Sequence, residues 1–210
     1  MSTTTPKAFA HDPDCVSETI TLNSGQRLVF RPLKSDDSDL LAGYFKSLSP
    51  STRKLYGPHP FTSEQAKKLC AGIDCQQVIR LVAVTDNIQQ PEIVAYFILG
   101  FTLSNADKER YRVRGMNLDQ ASVCTIAPSV ADAYQNRRLG SIVMNRTLAL
   151  ARNLGKNQVI LQGGVQAANS RAVHFYRKLG FRKVGSFSTT IENYDMILDL
   201  TQNGKTANTQ

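Results

Sequence analysis

The 210-residue chain lacks several features that would assign it to a special class of protein. It has no tryptophan, and its longest apolar run, 93–99, is far too short to cross a membrane. Residues 1–17 are rich in Thr, Pro and Asp and contain no apolar segment of the kind that a secretory signal needs. These absences lead us to expect a soluble, cytoplasmic protein with no membrane partner.

Cysteine is scarce and scattered along the chain. The four cysteines are Cys15, Cys70, Cys75 and Cys124. Two of them stand five positions apart, but a single Cys-x₄-Cys pair without a second pair is not a zinc ligand set. The sequence therefore predicts reduced thiols and no metal site.

Acidic residues are missing from one long part of the chain. Between positions 133 and 191 there is no Asp or Glu, whereas ten Lys and Arg residues occur there. The formal net charge of the whole chain is +8, so the remaining residues sum to −2. The positive charge is thus localised, and a localised field attracts polyanionic ligands.

A loop at 134–141, Tyr-Gln-Asn-Arg-Arg-Leu-Gly-Ser, lies within this basic region. An extended apolar stretch at 123–128 precedes it, and an amphipathic run at 142–154 follows, which predicts a strand, a loop and a helix start. The first turn of a helix offers unpaired N–H groups and partial positive charge to anions. Gly140 leaves room for a ligand near the main chain, and the two arginines carry donors suited to phosphate oxygens.

Residues 18–200 are predicted to form one domain between flexible tails at 1–17 and 201–210. Its central strand is predicted at 120–128. The polar connection 104–118 carries alternating cations, which indicates an exposed extended ribbon, or a basic rim for phosphates. His59 lies between prolines, and we expect an exposed turn residue there, with a general base as the alternative.

The segment 169–181, with Gly185 after it, and the loop at 134–141 resemble two signatures of the GNAT superfamily of N-acetyltransferases. The run Asn169-Ser-Arg-Ala-Val-His-Phe-Tyr-Arg-Lys-Leu-Gly-Phe181, with Gly185 after it, resembles the second signature. The loop before it resembles the family's pyrophosphate loop, with Gln135 and Gly140 at its first and last conserved positions.

The loop departs from the family pattern at two points. Arg138 stands where the middle glycine is expected, and about four additional residues separate Pro128 from Tyr134. The resemblance extends over 120–200. It implies an α/β (α+β) single domain with a central mixed, mostly antiparallel sheet flanked by helices, and acetyl-CoA as co-substrate.

The resemblance also implies a set of cofactor-binding residues on the central strand, the loop and the following helices. These are Cys124, Ile126, Gln135, Asn136, Arg137, Arg138, Leu139, Gly140, Ser141, Asn169 and Tyr176.

Catalytic roles follow from the same resemblance. The main-chain N–H of Cys124 would polarise the thioester carbonyl, and Tyr176 would protonate the leaving thiolate. Gln120 stands where many relatives carry a glutamate base, and an amide cannot accept a proton at neutral pH. Its neighbour Asp119 is the candidate base; a water chain or a less basic acceptor are the alternatives. We expect direct attack on the thioester, with the Cys124 thiol as nucleophile as the alternative.

The expected function is therefore acetyl transfer from acetyl-CoA to a primary amine of a small molecule or peptide. Because Arg138 and Gln120 depart from the pattern, a catalytically silent CoA-binding sensor is an alternative. A basic nucleic-acid-binding module is a second one, although the sequence shows no recognised nucleic-acid-reading motif. The oligomeric state is left open between a monomer and a homodimer.

Overall fold

A computed structural model of the chain describes residues 12–56 and 58–201. Nine strands form one sheet: β1 (Glu18–Thr21), β2 (Arg27–Pro32), β3 (Val78–Thr85), β4 (Ile93–Gly100), β5 (Val123–Val130), β6 (Gln158–Leu161), β7 (Val165–Gln166), β8 (Arg182–Ser188) and β9 (Glu192–Asp199). The α-helices in this part of the chain are α1 (Ser38–Ser47), α2 (Pro50–Lys54), α3 (Ser63–Ala71), α4 (Asn105–Arg112), α5 (Leu139–Asn153) and α6 (Ser170–Lys178). None of them is long and apolar enough to span a bilayer. The predicted tails fall largely outside the described residues.

The sheet has one parallel pair. Its strand order is β1-β2-β3-β4-β5-β6-β9-β7, with β8 paired to β9. Only β5 and β6 run parallel; the other pairs are antiparallel. The parallel pair needs a crossover, which α5 provides. The prediction of a mixed, mostly antiparallel sheet flanked by helices is confirmed.

Helices cover both faces of the sheet. Alternate residues of a strand point to opposite faces, so neighbouring residues of β4 enter different cores. Phe97 packs in one core with Val143 of α5 and Val173 of α6. Tyr96 packs in the other with Phe45 of α1 and Leu69 of α3. Helices α5 and α6 therefore lie on one side of the sheet, and helices α1 and α3 lie on the other.

The predicted extended ribbon at 104–118 is wrong, because most of it is helix α4. Ser104 caps this helix by accepting a hydrogen bond from the main chain at 3.0 Å. The alternating cations that suggested a strand are also four residues apart, which is one helical face. Arg110 and Arg114 on that face both contact Asp195 of β9. These two arginines are paired with a buried carboxylate inside the fold, so they do not form a basic rim for phosphates.

Strand β5 begins and ends later than predicted. The sequence suggested 120–128, whereas the strand spans Val123–Val130. Its pairing with β6 stops where Ile126 faces Leu161. The last four residues of β5 therefore extend past the end of β6, and the sheet opens there on one side. The residues that looked like an insertion before Tyr134 belong to the end of β5 and a 3₁₀ turn, Asp132–Tyr134.

Candidate active site

The open edge of β5 presents a main-chain donor. Ala131 donates its N–H to β4, so odd-numbered residues of β5 face β4 and even-numbered residues face β6. The last contact to the β6 side is the Ile126 carbonyl, which accepts from the Gln162 N–H at 3.2 Å. Pro128 has no N–H to offer. The first β5 N–H beyond the end of β6 is therefore that of Val130.

This geometry places Cys124 away from the open edge, where the resemblance implied a role for its amide. Cys124 pairs with Val159 inside the parallel ladder, and its side chain is fully buried. Its thiol donates to the Gln158 carbonyl at 3.6 Å. Burial raises the pKa of this thiol to about 12, with Lys156 offsetting the rise only in part. Neither its amide nor its thiol can face a ligand at the opening, because both lie within the closed part of the sheet.

The loop before α5 has the backbone of an anion site. Asn136 and Arg138 have positive φ angles of 61° and 63°. Arg138 is the residue at which α5 begins, and its side chain does not cap the helix. The first turn of α5 contains no acidic residue either. Its N–H groups therefore keep their capacity to bind an anion.

Two residues of the loop show how it is built. Leu139 is fully buried and anchors the start of α5, whereas Asn136, Arg137, Arg138 and Ser141 are exposed. A Cβ at Gly140 would meet its nearest protein atom, of Val130, only at 3.6 Å. Packing within the protein thus does not demand glycine at this position. The free space over Gly140 suits a ligand that approaches the main chain.

Gln135 holds this loop against the open edge. Its side-chain amide donates to the Val130 carbonyl at 3.0 Å. The carbonyl and the N–H of one strand residue point to the same side. Gln135 therefore fixes the loop beside the free Val130 N–H, and its own amide group is already engaged.

Tyr176 lies on α6 in the core under the opening. Its ring packs edge-on against Phe175 and Phe181, at 5.5 and 5.3 Å between ring centroids. Burial raises the pKa of its phenol well above the ordinary value of a tyrosine. The hydroxyl is therefore protonated at neutral pH. Asn169 caps α6 by accepting from the Ala172 N–H at 3.1 Å, as its position in the sequence suggested.

Asp119 does not reach this site. It lies in the turn before β5, where its carboxylate accepts the Ala121 N–H at 3.0 Å. That hydrogen bond, with a second from Ser122, holds the pKa of the carboxyl below its usual range. The opening is at the other end of β5, roughly 23 Å away at 3.3 Å per residue. Asp119 is therefore excluded as the base, and Gln120 in the same turn is equally remote.

The site contains an aromatic pocket in the segment between β2 and β3. It is open, has a volume of about 560 Å³, and is lined by Arg53, Tyr56, Pro58, His59, Pro60 and Phe61. Below it, the Tyr44 hydroxyl donates to Ser129 of β5 at 2.8 Å. Ser129 precedes the free Val130 N–H, so the pocket adjoins the open edge. The Tyr176 phenol is also near enough to help raise the pKa of Tyr56.

His59 is part of this pocket and not an exposed turn residue. Its Nδ1 lies 2.9 Å from the Pro60 carbonyl, which can only accept, so Nδ1 carries the proton. Nε2 then accepts from the Tyr96 hydroxyl at 3.2 Å. Burial lowers the pKa of His59, and the nearby Arg80 cation lowers it further, while the bond to Pro60 opposes both. The imidazole is thus neutral at neutral pH.

Hydrogen bonds join the pocket to the rest of the site. Asp132, just before the loop, accepts from the Ser49 N–H at 3.0 Å and from the Thr52 hydroxyl at 2.7 Å. On the other side, Gln166 of β7 donates to the Lys54 carbonyl at 3.0 Å. Helix α2, which leads into the pocket, is therefore fastened to both flanks of the opening.

The chain was compared with known families and structures. Residues 98–181 match the model of the Acetyltransferase (GNAT) family. A search of curated proteins found no match.

Solved structures with the same fold include three acetyltransferase-related proteins. The GNAT domain of S. lividans PAT is 19% identical, with a TM-score of 0.69 over 89% of this chain and 98% of that one. The ribosomal-protein-S5-alanine acetyltransferase of Vibrio fischeri is 15% identical, with a TM-score of 0.65 over 88% and 98%. Arabidopsis thaliana NAA60, in complex with acetyl-CoA, is 16% identical, with a TM-score of 0.61 over 83% and 99%.

The family match spans strand β5, the loop before α5 and all of α6, whereas the aromatic pocket around Tyr56 and His59 lies outside it. The overall sheet order and flanking helices agree with the fold of the similar structures. Over residues 98–181 the chain therefore resembles acetyltransferases of the GNAT family, and its fold is the one that the similar structures share.

Proposed function

We propose that this protein transfers an acetyl group from acetyl-CoA to the primary amine of a small molecule or peptide by direct attack. The observation that carries the proposal is the gap between β5 and β6, which lies directly beside an uncapped helix start. A thioester arm can enter such a gap while its phosphates meet the helix. Acetyl-CoA in the Arabidopsis thaliana NAA60 complex supports the same choice of co-substrate.

Different residues would bind the phosphates, stabilise the oxyanion and protonate the leaving group. The N–H groups from Asn136 to Ser141 would bind the pyrophosphate. The Val130 N–H, in place of Cys124, would donate to the carbonyl oxygen as negative charge develops there. The buried phenol of Tyr176 would donate its proton to the departing sulfur, and the proton that the attacking amine loses would leave through water, from which the phenol is reprotonated.

The thiols support direct attack and not a covalent acyl-enzyme. Burial raises the pKa of Cys124 to about 12 and of Cys70 to about 11. Burial also raises the pKa of Cys75. Only the thiolate is a good nucleophile, and these thiols stay protonated at neutral pH. The amine would therefore attack the thioester itself.

Binding of CoA is the first prediction. A ligand that binds only the folded state at 100 times its Kd stabilises it by about 2.7 kcal/mol. For a domain of this size, that corresponds to a rise in Tm of about 5–10 °C. A melting curve with and without CoA measures it, and pantetheine, which lacks the phosphates, serves as the control. An unmoved Tm at saturating CoA would contradict the proposal.

Arg138 gives the second prediction. Its positive φ strains a residue with a side chain by about 1–2 kcal/mol, whereas glycine adopts this conformation freely. Arg138→Gly should therefore raise the Tm by a few degrees, yet weaken CoA binding by about 1–3 kcal/mol through loss of a charged hydrogen bond. Arg138→Ala should weaken binding equally without the gain in Tm. Titration calorimetry that finds parental affinity in both variants would show that Arg138 points to solvent.

A further inference from the structure

Two buried polar atoms without partners lie beside the aromatic pocket, one on Tyr56 of its lining and one on Arg80, whose charge acts on Tyr56 and His59. The Tyr56 hydroxyl and Nε of Arg80 are inaccessible to solvent and lack a hydrogen-bond partner among the described residues. A buried donor without a partner costs about 1–3 kcal/mol, more when charged. Such groups in a native fold call for an explanation, and a bound ligand that pairs with them is one.

The positive charge of Arg80 is also unmatched. Arg80 lies on β3 against the hydroxyl of Tyr96, which is neutral. In the part of the chain that the structure describes, no carboxylate lies within ion-pair distance of Arg80. Asp37, an acid on the same face of the sheet, is bound by Arg31 at 2.6 and 2.8 Å. The pocket thus offers an uncompensated cation in a partly desolvated place.

The surroundings of Arg80 are aromatic. The rings of Tyr56 and Phe61 stack at 4.6 Å, and Phe45 lies 4.8 Å from Phe61. His59 completes this wall as a neutral ring, because its pKa is lowered. A pocket with an apolar wall and a few convergent donors is typical of a site for a small organic molecule.

We infer that the acceptor of this enzyme is a small amine that carries a carboxylate, which Arg80 and Tyr56 bind while the apolar wall holds its body. The inference rests on the proposed acetyl transfer and deepens it. Arg80 lies two strand spacings from Ala127 of β5, roughly 10 Å, and Val130 is three residues further along, so the Cα atoms of Arg80 and Val130 are roughly 14 Å apart. An acceptor of amino-acid size can therefore place its carboxylate at Arg80 and its amine toward Val130 and Tyr176.

Matched pairs of amines test this inference. The probes are phenylalanine with phenethylamine and leucine with isopentylamine, which differ only by the carboxylate. In the parent enzyme, kcat/KM should be roughly 10- to 150-fold higher for the amino acid, the factor expected for a hydrogen bond to a charged group. Release of CoA measures the rate, and equal rates or a preference for the plain amines would overturn the inference.

The variants identify the group responsible. Arg80→Met should remove at least a tenfold part of the carboxylate preference, because it keeps the length of the side chain and loses its donors. Tyr56→Phe keeps the ring and should lower the carboxylate preference by a smaller factor. If Arg80→Met does not fold, Tyr56→Phe alone tests the assignment. Arg112→Met removes one exposed cation from α4 and should leave the preference unchanged. An unchanged preference in both pocket variants contradicts the assignment.

A binding measurement separates this inference from acetyl transfer itself. In the presence of CoA, phenylalanine should raise the Tm of the parent and of Arg112→Met, but not that of Arg80→Met. If this shift occurs and no amine is acetylated, the proposed function fails and the carboxylate site stands. If both members of each pair are acetylated equally, the function stands and the inference fails. If no probe either binds or reacts, both are overturned.

Discussion

Replacement of Tyr176 by phenylalanine should lower turnover by roughly 10²- to 10⁴-fold, the usual effect of removing a positioned acid. The phenol is protonated because burial raises its pKa, so it can donate a proton to a leaving thiolate. The sign of the shift also fixes the pH dependence. A raised pKa keeps the proton in place at least up to the ordinary tyrosine value near pH 10. No loss of turnover from this group is therefore expected between neutral pH and about pH 10.

Tyr176→Phe should leave the fold and the affinity for CoA unchanged. The ring contacts with Phe175 and Phe181 do not involve the hydroxyl. An effect on kcat at constant CoA affinity is the signature of an interaction made only in the transition state. Steady-state kinetics with saturating acetyl-CoA and a melting curve measure the two properties separately.

Tyr111→Phe is a matched control for this experiment. Tyr111 is another fully buried tyrosine, and its hydroxyl donates to the Met196 carbonyl at 3.1 Å in a core away from the opening. Its loss should cost about 0.5–1.5 kcal/mol of stability and leave turnover unchanged. If Tyr176→Phe behaves in the same way, with turnover within about threefold of the parent, Tyr176 is a packing residue.

Local patterns in the sequence were enough to predict several parts of the site. The strand, loop and helix order around Gly140, the helix cap at Asn169 and the helical face of Tyr176 each depend on residues close together in the chain. Their hydrogen bonds span three or four residues, as at the α6 cap. Such features follow from periodicity and capping preferences without knowledge of the tertiary structure.

The end of β5 could not be read from the sequence. Whether a β5 residue faces a partner depends on where β6 ends, and β6 is about 30 residues further along the chain. A shift of two residues in the end of the strand leaves the alternation of faces unchanged, so the hydrophobic pattern does not indicate where the strand ends. For this reason the proposed oxyanion donor is the Val130 N–H and not that of Cys124.

The contacts that build the pocket could not be predicted from the sequence for a related reason. Tyr44 and Ser129 meet across 85 positions, and His59 meets Tyr96 across 37. Single polar residues in separate segments give no local pattern from which their contact could be predicted. The one available sign was Arg80, a cation within an otherwise apolar strand, Val78–Thr85. An unexpected charge in a buried strand is more informative than a charge in a polar segment.

A second large effect is expected in the buried ion cluster that joins α4 to β9. Asp195 is fully buried and contacts two arginines, with 3.1 Å to Arg110 and 2.6 Å to Arg114. Arg110 also contacts Asp107, and its guanidinium lies 3.8 Å over the ring of Phe187. These four charged residues hold helix α4, which the sequence had suggested as an extended ribbon, against β9.

The same cluster explains why residue 185 is a glycine. A Cβ at this position would lie 2.1 Å from Nε of Arg114. Arg114 also donates to the Ser186 carbonyl at 2.9 Å, so its guanidinium is held tightly against β8. The glycine that follows the second signature is therefore explained here by the close approach of a side chain to the backbone.

Asp195→Ala should destabilise the protein by about 3–5 kcal/mol, because it leaves two largely buried guanidinium groups without their shared carboxylate. Urea unfolding measures the change as a lower midpoint at constant m. Glu192→Ala, which removes an exposed carboxylate from the same strand, should change stability by no more than about 0.5 kcal/mol. A loss below about 1 kcal/mol for Asp195→Ala would mean that water replaces the carboxylate around both arginines. The cluster would then position α4 without stabilising it.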